Sequence, residues 1–134
     1  MVILKDDNQM RKILIVDDQP EIRELIRLTL ELGNFRIFSA SNGQQALAIA
    51  QSVKPDIVLL DVRMPDSSIS GLEVCRQLKS DPTVAKSYII IISASGEEQN
   101  LALAKAAGAD DFLIKPFSPI ALIDKVEEVV REYL

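Results

Sequence analysis

Short runs of β-branched residues alternate with longer segments of helical periodicity along the chain, and this alternation restricts the fold more than any other feature. Five runs read as strands, at residues 13–16, 36–39, 57–60, 88–92 and 112–114. Several are continuous apolar stretches, as expected of strands that helices cover on both faces. Strands that alternate with helices are typical of an α/β domain with a parallel sheet. We therefore predict a five-stranded parallel α/β domain.

A segment with helix signals follows each predicted strand. The first helix is expected after Asp18 and to end near Gly33, the second to follow Asn42, and the third to start near Ser70. The fourth is expected over residues 95–107 and the fifth from Ser118. The expected buried positions are Ile22, Leu25 and Ile26 in the first helix, Leu101, Ala104 and Ala107 in the fourth, and Leu122, Ile123, Val126, Val130 and Tyr133 in the fifth.

Length and composition favour one soluble domain. The chain has 134 residues, which suits a single compact domain, predicted at residues 12–134. Residues 1–11 lack periodicity and are expected to form a flexible tail. The net charge of -5 argues against direct nucleic-acid binding. No apolar stretch approaches the ~20 residues of a membrane span, and no secretion signal is apparent, so the cytoplasm is the expected location.

The chain contains no histidine, and its only cysteine is Cys75. The absence of histidine excludes a Ser-His-Asp triad, a His-ligated zinc site and a His-to-Asp relay within this chain. Cys75 lies at helical spacing from Leu72 and Leu78, so we interpret it as a small core residue rather than a nucleophile.

Polar residues follow four of the predicted strands directly: Asp17, Asp18, Asp61, Ser93 and Lys115. Ligands of open parallel sheets bind at the carboxyl ends of the strands, so these side chains are expected to converge there. Three carboxylates at one edge would repel each other unless a cation neutralised them. Oxygen ligands without His or Cys select a hard ion, for which magnesium is the natural candidate.

A carboxylate beside such an ion can attack a phosphoryl group and form an aspartyl phosphate. The Lys115 ammonium, the Ser93 hydroxyl and backbone amides could balance the charge of the transferred group. No general base is required, because the carboxylate is already ionised. The site could therefore work without histidine.

Four stretches, KILIVDDQ, DIVLLDVRMPDSSISGLEV, IIIISAS and GADDFLIKPF, occur in this order. Together they resemble the receiver domains of two-component response regulators over residues 12–133. The resemblance implies a doubly wound, flavodoxin-like sheet with strand order 2-1-3-4-5. It also implies a phosphorelay role with a histidine kinase or histidine phosphotransfer domain as partner.

The resemblance further implies a role for individual residues. Asp61 resembles the phosphoacceptor, with Ser93 and Lys115 as the other catalytic residues. The implied magnesium ligands are Asp18, Asp61 and the carbonyl of Arg63, with Asp17 acting mainly through a ligating water. Ser93 and Phe112 resemble the switch pair, and the bond between Lys115 and Pro116 is expected to be cis.

The sequence departs from the common family form at two places. The loop at residues 66–70 is about two residues longer, with Ser67 and Ser68 in place of a short turn. At the switch position, Phe112 replaces the frequent tyrosine and has no hydroxyl to donate a hydrogen bond, which favours an inward ring.

The main hypothesis is a signalling switch in which phosphorylation changes the surface of the fourth helix, fifth strand and fifth helix, a surface that could also form a homodimer. The chain could be a single-domain regulator, or a fragment of a larger regulator or of a hybrid kinase. A pseudo-receiver that only binds partners is one alternative. A phosphatase of the haloacid-dehalogenase type is another, but that family has an acid/base Asp where this chain has Arg63.

The phosphodonor is expected to dock on the first helix, through Arg23 and Arg27, and on Phe117 after the fifth strand.

Overall fold

The computed structural model describes residues 10–94 and 98–134. Within these residues, five strands alternate with five helices. In chain order the elements are β1 (Arg11–Val16), α1 (Pro20–Leu30), β2 (Phe35–Ala40), α2 (Gly43–Val53), β3 (Ile57–Asp61), α3 (Gly71–Ser80), β4 (Tyr88–Ser93), α4 (Glu98–Ala106), β5 (Asp111–Ile114) and α5 (Pro119–Tyr133).

The strands form one sheet in the order β2-β1-β3-β4-β5, and all four neighbouring pairs are parallel. The predicted fold class and strand order are therefore confirmed. β1 begins at Arg11, one residue inside the segment expected to be a tail, because Arg11 pairs with Phe35. Residues 1–9 of that segment lie outside the described residues.

The core has two halves, one on each face of the sheet, because successive side chains of a strand point to opposite faces. α1 and α5 cover one face, and α2, α3 and α4 cover the other. The strand residues of the α1 and α5 side are Ile13, Ile15, Ile57, Leu59, Ile90 and Ile92. Those of the opposite side are Leu14, Val16, Ala40, Val58, Leu60, Ile89 and Ile91.

Side-chain caps begin three of the helices at positions that the sequence predicts. The Asn42 side chain accepts a hydrogen bond from the Gln45 amide at 2.9 Å. Ser70 and Ser118 cap α3 and α5 in the same way. Each cap satisfies a backbone N–H that has no partner within its helix. The predicted start of the fourth helix at Ser95 lies outside the described residues.

In α1 and α4, two predicted core positions are exposed. The side chain of Leu25 is 44% exposed, because α1 instead turns Ile26 and Leu30 toward the sheet. Leu101 is 40% exposed, and the small residues Ala104 in α4 and Ala107 just after it are buried instead. Residues one position apart fit a helical stripe about equally well, so only the packing partner selects between them.

The last helix differs from the prediction near its end. α5 buries Val129, whereas Val130 is only partly buried at the edge of the stripe. Tyr133 is exposed and not inward. It lies beside Tyr88, with 5.0 Å between the ring centroids.

Cys75 of α3 is fully buried, as predicted, in the half of the core that α2, α3 and α4 cover. Burial raises the pKa of its thiol to about 11, so the reactive thiolate is disfavoured at neutral pH. Among the described helices we find none with the length and apolar character needed to cross a bilayer.

Candidate functional site

The carboxyl edge of the sheet brings together residues that are distant in sequence. β1 and β3 are neighbours, and Val16 lies opposite Leu60. Asp17, which follows β1, is therefore next to Asp61, the last residue of β3. Lys115 follows β5, and its amide donates a hydrogen bond to the carbonyl of Ser93 at 2.7 Å. The topology therefore produces the convergence that the sequence predicts.

Three carboxylates form the centre of this edge. One oxygen from each of Asp17, Asp18 and Asp61 lies within 4.8 Å of the other two. Asp17 and Asp61 are buried, with 1% and 5% exposure, whereas Asp18 is half-buried. An all-oxygen set of this kind fits a hard divalent cation such as Mg²⁺ or Ca²⁺ and gives no soft ligand for zinc or copper.

Lys115 supplies a positive charge to the cluster. Its Nζ lies 2.9 Å from Asp17 Oδ2 and 3.6 Å from Asp61 Oδ2. Three ionised carboxylates and one ammonium leave a net charge of -2 (three times -1, plus 1), which is the charge that a divalent cation neutralises. The residues present therefore fit a bound divalent metal.

Burial raises the pKa of Asp61 to about 6, and the negative charge of Asp17 adds to this effect. The Lys115 charge and the Arg63 amide act in the opposite direction. At neutral pH the Asp61 carboxylate is still mostly ionised and able to act as a nucleophile. A neighbouring cation would favour the ionised form further.

Backbone amides hold both buried carboxylates in place. Asp17 Oδ1 accepts a hydrogen bond from the Gln19 amide at 2.9 Å, and Asp61 Oδ1 accepts one from the Arg63 amide at 3.2 Å. Each bond spans two residues, so the loop after the strand fixes the carboxylate of its own strand end.

An open cleft of about 330 Å³ gives solvent access to the site. It is lined by Asp18, Gln19, Asp61, Arg63, Pro65, Ala94 and Lys115. Such a cleft has the size and the polar lining to admit a phosphoryl group. The predicted residues Asp18, Asp61, Arg63 and Lys115 thus share one opening.

The predicted switch residues lie beside this cleft rather than in its lining. Ser93 and Phe112 line a neighbouring cavity of about 250 Å³, together with Leu72 and Leu103. Phe112 is partly buried and packs against the α3 and α4 side of the core. The Lys115-Pro116 bond is cis, as expected.

Arg23, which the sequence suggests for docking of the phosphodonor, also contacts a site residue in the structure. Its guanidinium donates a hydrogen bond to the carbonyl of Asp17 at 2.7 Å. Its place in the first turn of the helix after the acidic pair is the signal that could have identified this contact, because that turn lies next to the strand end.

The family model described as the response regulator receiver domain matches residues 13–127, which is most of the chain. The chain belongs to this family. Receiver domains act as phosphoacceptor switches rather than as enzymes that turn over external substrates, and the recognition of a two-component receiver from its sequence motifs is confirmed.

Similar proteins support the assignment of this receiver domain. The phosphate regulon transcriptional regulatory protein PhoB of Pseudomonas aeruginosa is 42% identical over 121 residues, which cover 90% of this chain and 52% of PhoB. The transcriptional regulatory protein ResD of Bacillus subtilis is 40% identical over 126 residues, covering 94% of this chain and 50% of ResD. The receiver domain thus spans about half the length of these relatives.

A solved structure shows the same fold. The chemotaxis protein CheY4 of Vibrio cholerae superposes with a TM-score of 0.84 and 30% sequence identity. The match covers 90% of this chain and 98% of CheY4. Since almost all of CheY4 is matched, the elements described above account for a whole receiver fold.

Proposed function

We propose that Asp61 is the phosphoacceptor of this receiver domain and that Mg²⁺ is required for its phosphorylation. The observation that carries the proposal is the convergence of three carboxylates and Lys115 around a cleft that is open to solvent. Asp18, Asp61 and the carbonyl of Arg63 would bind the metal directly, and Asp17 would act through a water. When bound, the metal would supply positive charge to the phosphoryl oxygens and to the carboxylates.

The transfer needs one bond to form and one to break. An oxygen of the Asp61 carboxylate attacks the phosphorus of a phosphohistidine, and the P–N bond breaks with its electron pair remaining on the imidazole nitrogen. The Lys115 ammonium and the Ser93 hydroxyl are placed at strand ends beside Asp61 and would bind the oxygens of the transferred group. The donor's histidine lies outside this chain, which has none.

The proposal is tested by incubating the protein with a small acyl phosphate, with and without Mg²⁺, and measuring its mass. We expect one phosphoryl group per chain, only with Mg²⁺, and release of that group by hydroxylamine, which attacks acyl phosphates. Peptide mapping should place it on Asp61. A phosphate that is resistant to hydroxylamine, or uptake that is independent of Mg²⁺, would contradict the proposal.

Neither alternative function is favoured by the site. A phosphatase of the haloacid-dehalogenase type needs a carboxylic acid two residues after the nucleophile, where this chain has the exposed Arg63. A pseudo-receiver that only binds partners would have no reason to keep Asp17 and Asp61 buried together, because their mutual repulsion lowers stability.

We propose a histidine kinase or histidine phosphotransfer domain as the phosphodonor, docking on α1. Beyond its first turn, α1 offers Arg27, which lies in the last turn and pairs with Glu24, and Leu28, which is 50% exposed. Arg23 and Phe117 are unsuitable probes, because Arg23 holds the Asp17 carbonyl and Phe117 packs against the core. The docking surface is therefore best tested at Arg27 and Leu28.

We predict that Arg27→Glu slows transfer from a phosphorylated histidine domain by about three- to tenfold, because charges at the rim of an interface mainly affect association. Labelling by a small acyl phosphate should not change. Arg76→Glu is the matched control, since Arg76 forms an equivalent pair with Glu73 on α3, on the opposite face of the sheet. Equal slowing by both variants, or slowing with both donors, would count against docking on α1.

We further propose that phosphorylation changes the surface of α4, β5 and α5 through Ser93 and Phe112, and that this surface binds a second copy of the chain. Exposed apolar side chains lie on all three elements, at Leu103, Ile114 and Ile120. With the phosphate mimic beryllofluoride and Mg²⁺, we expect Ser93 to move toward Asp61 and the Phe112 ring to become more buried in a crystal structure. Sedimentation should then show more dimer. Unchanged positions of both side chains would contradict this switch.

A further inference from the structure

The side chain of Ser67 forms a hydrogen bond between the β3–α3 loop and the start of α2. The Ser67 Oγ accepts a hydrogen bond from the amide of Gly43 at 2.9 Å and donates one to the carbonyl of Ile69 at 2.6 Å. The Ser67 amide also donates to the Met64 carbonyl at 3.0 Å. One hydroxyl thus joins two segments that are 24 residues apart in sequence.

The contact is close because Gly43 has no side chain. A Cβ at Gly43 would lie 3.0 Å from the carbonyl oxygen of Ile69 and 3.2 Å from its Cβ, closer than side chains normally approach. Gly43 is the first residue of α2, so its amide has no acceptor within the helix. Ser67 supplies that acceptor, which gives the loop a fixed position on the helix.

The same loop carries the groups that shape the candidate site. The Arg63 amide binds the Asp61 carboxylate, and both Arg63 and Pro65 line the cleft. The Gly71 amide closes the loop on the carbonyl of Val62 at 3.3 Å, and a Cβ at Gly71 would collide with the carbonyl oxygen of Asp61. A shift of the loop would therefore move the Asp61 carboxylate and the carbonyl of Arg63.

Ser67 lies in the stretch by which this loop, compared with the common form of the family that it resembles, is expected to be about two residues longer. A longer loop has more conformations and loses more entropy when it is ordered. A hydroxyl that accepts one hydrogen bond and donates another can offset this loss, and alanine at the same place can do neither. The position of the loop would then depend on Ser67.

We infer that Ser67 is a positioning residue for metal binding, which anchors the longer β3–α3 loop to α2 and so presets the Asp61 carboxylate and the Arg63 carbonyl. The inference rests on the proposed function in its metal-binding part, and it assigns Ser67 no contact with the metal or the phosphoryl group. The anchoring itself follows from the hydrogen bonds of the loop alone.

The test compares three variants with the wild type by titration calorimetry with Mg²⁺. Ser67→Ala should raise the Mg²⁺ dissociation constant by about three- to tenfold, the effect of one lost hydrogen bond. Ser67→Thr keeps the hydroxyl and should restore most of the affinity. Ser68→Ala is the matched control, because Ser68 is the exposed neighbour of Ser67 in the same loop. This variant should bind Mg²⁺ with the affinity of the wild type.

Two further measurements separate positioning from general stability. In metal-free protein, amide hydrogen exchange of residues 62–71 should be faster in Ser67→Ala than in Ser68→Ala, while exchange of β1 and β3 stays the same. Urea unfolding gives the global stability. A Ser67→Ala protein that is less stable but binds Mg²⁺ with unchanged affinity would overturn the inference.

A wild type that binds no Mg²⁺ would refute the metal part of the proposed function, and with it the metal role of Ser67. Anchoring is then judged by exchange alone, where equal rates in Ser67→Ala and Ser68→Ala overturn it. The failure of the proposed function and the failure of the anchor thus give different results.

Discussion

An Asp61→Asn protein is expected to take up no hydroxylamine-labile phosphate from a small acyl phosphate in the presence of Mg²⁺. Asparagine has almost the same shape as aspartate, but its amide carries no ionised oxygen to attack phosphorus. The loss should therefore be complete rather than partial, with labelling reduced to the background of a protein that lacks the acceptor. Mass spectrometry and a filter assay with labelled donor measure it directly.

The same variant should be folded, which distinguishes lost chemistry from lost structure. Asp61 is buried beside Asp17, so Asn removes a charge that the neighbouring carboxylate repels. The melting temperature of the metal-free protein should be at least as high as that of the wild type. Asp124→Asn is the matched control, because Asp124 is exposed on α5 outside the cleft. Normal labelling of Asp61→Asn would show that another residue accepts the phosphate.

The sheet and the site could be predicted from sequence because both depend on strand ends. A continuous apolar run marks each buried strand, and the first polar residue after it falls at the carboxyl edge whatever the details of packing. The parallel pairing of β1 and β3 is therefore sufficient to predict that Asp17 and Asp61 lie close together. The approach of Lys115 to both carboxylates follows in the same way from β5.

Features that depend on the rotation of a helix could not be predicted in this way. Leu25 and Ile26 both fit the apolar stripe of α1, and only contact with the twisted sheet selects Ile26. Tyr133 fits the stripe of α5 but lies at the helix end, where its ring meets Tyr88 instead of the core. Periodicity gives the period of the buried face but leaves its phase uncertain by one residue.

Side chains that bind backbone groups of other elements were missed for a related reason. In the sequence, Ser67 looks like an ordinary turn residue of a long loop. Nothing near it in the sequence indicates that its hydroxyl accepts a hydrogen bond from the amide of Gly43 in α2. Lys79 is similar, since it pairs with Asp110 at 2.6 Å and donates to the carbonyl of Ser87 at 2.8 Å. Such long-range polar contacts fix the loops, and loops determine the shape of the cleft.

The acidic cluster has a cost that metal binding can offset. Asp17, Asp18 and Asp61 repel one another, and Lys115 neutralises only part of their charge. Removing the Asp18 carboxylate should consequently weaken metal binding strongly, while the metal-free fold gains from reduced repulsion. Affinity and stability should thus respond in opposite directions, and Asp18 is the residue at which to measure both.

Asp18→Ala is expected to raise the Mg²⁺ dissociation constant by at least about 10- to 100-fold, since the loss of even an outer contact of a metal ligand commonly has an effect of that size. Asp18 is chosen because it lines the cleft and is only half-buried, so alanine creates no cavity in the core. Calorimetry with Mg²⁺ measures the affinity, and urea unfolding without metal should give a free energy no lower than that of the wild type. Asp124→Ala removes the same charge from α5 and should leave the affinity unchanged. Equal affinities of the two variants would show that net charge alone attracts the ion and that the three carboxylates are not a metal site.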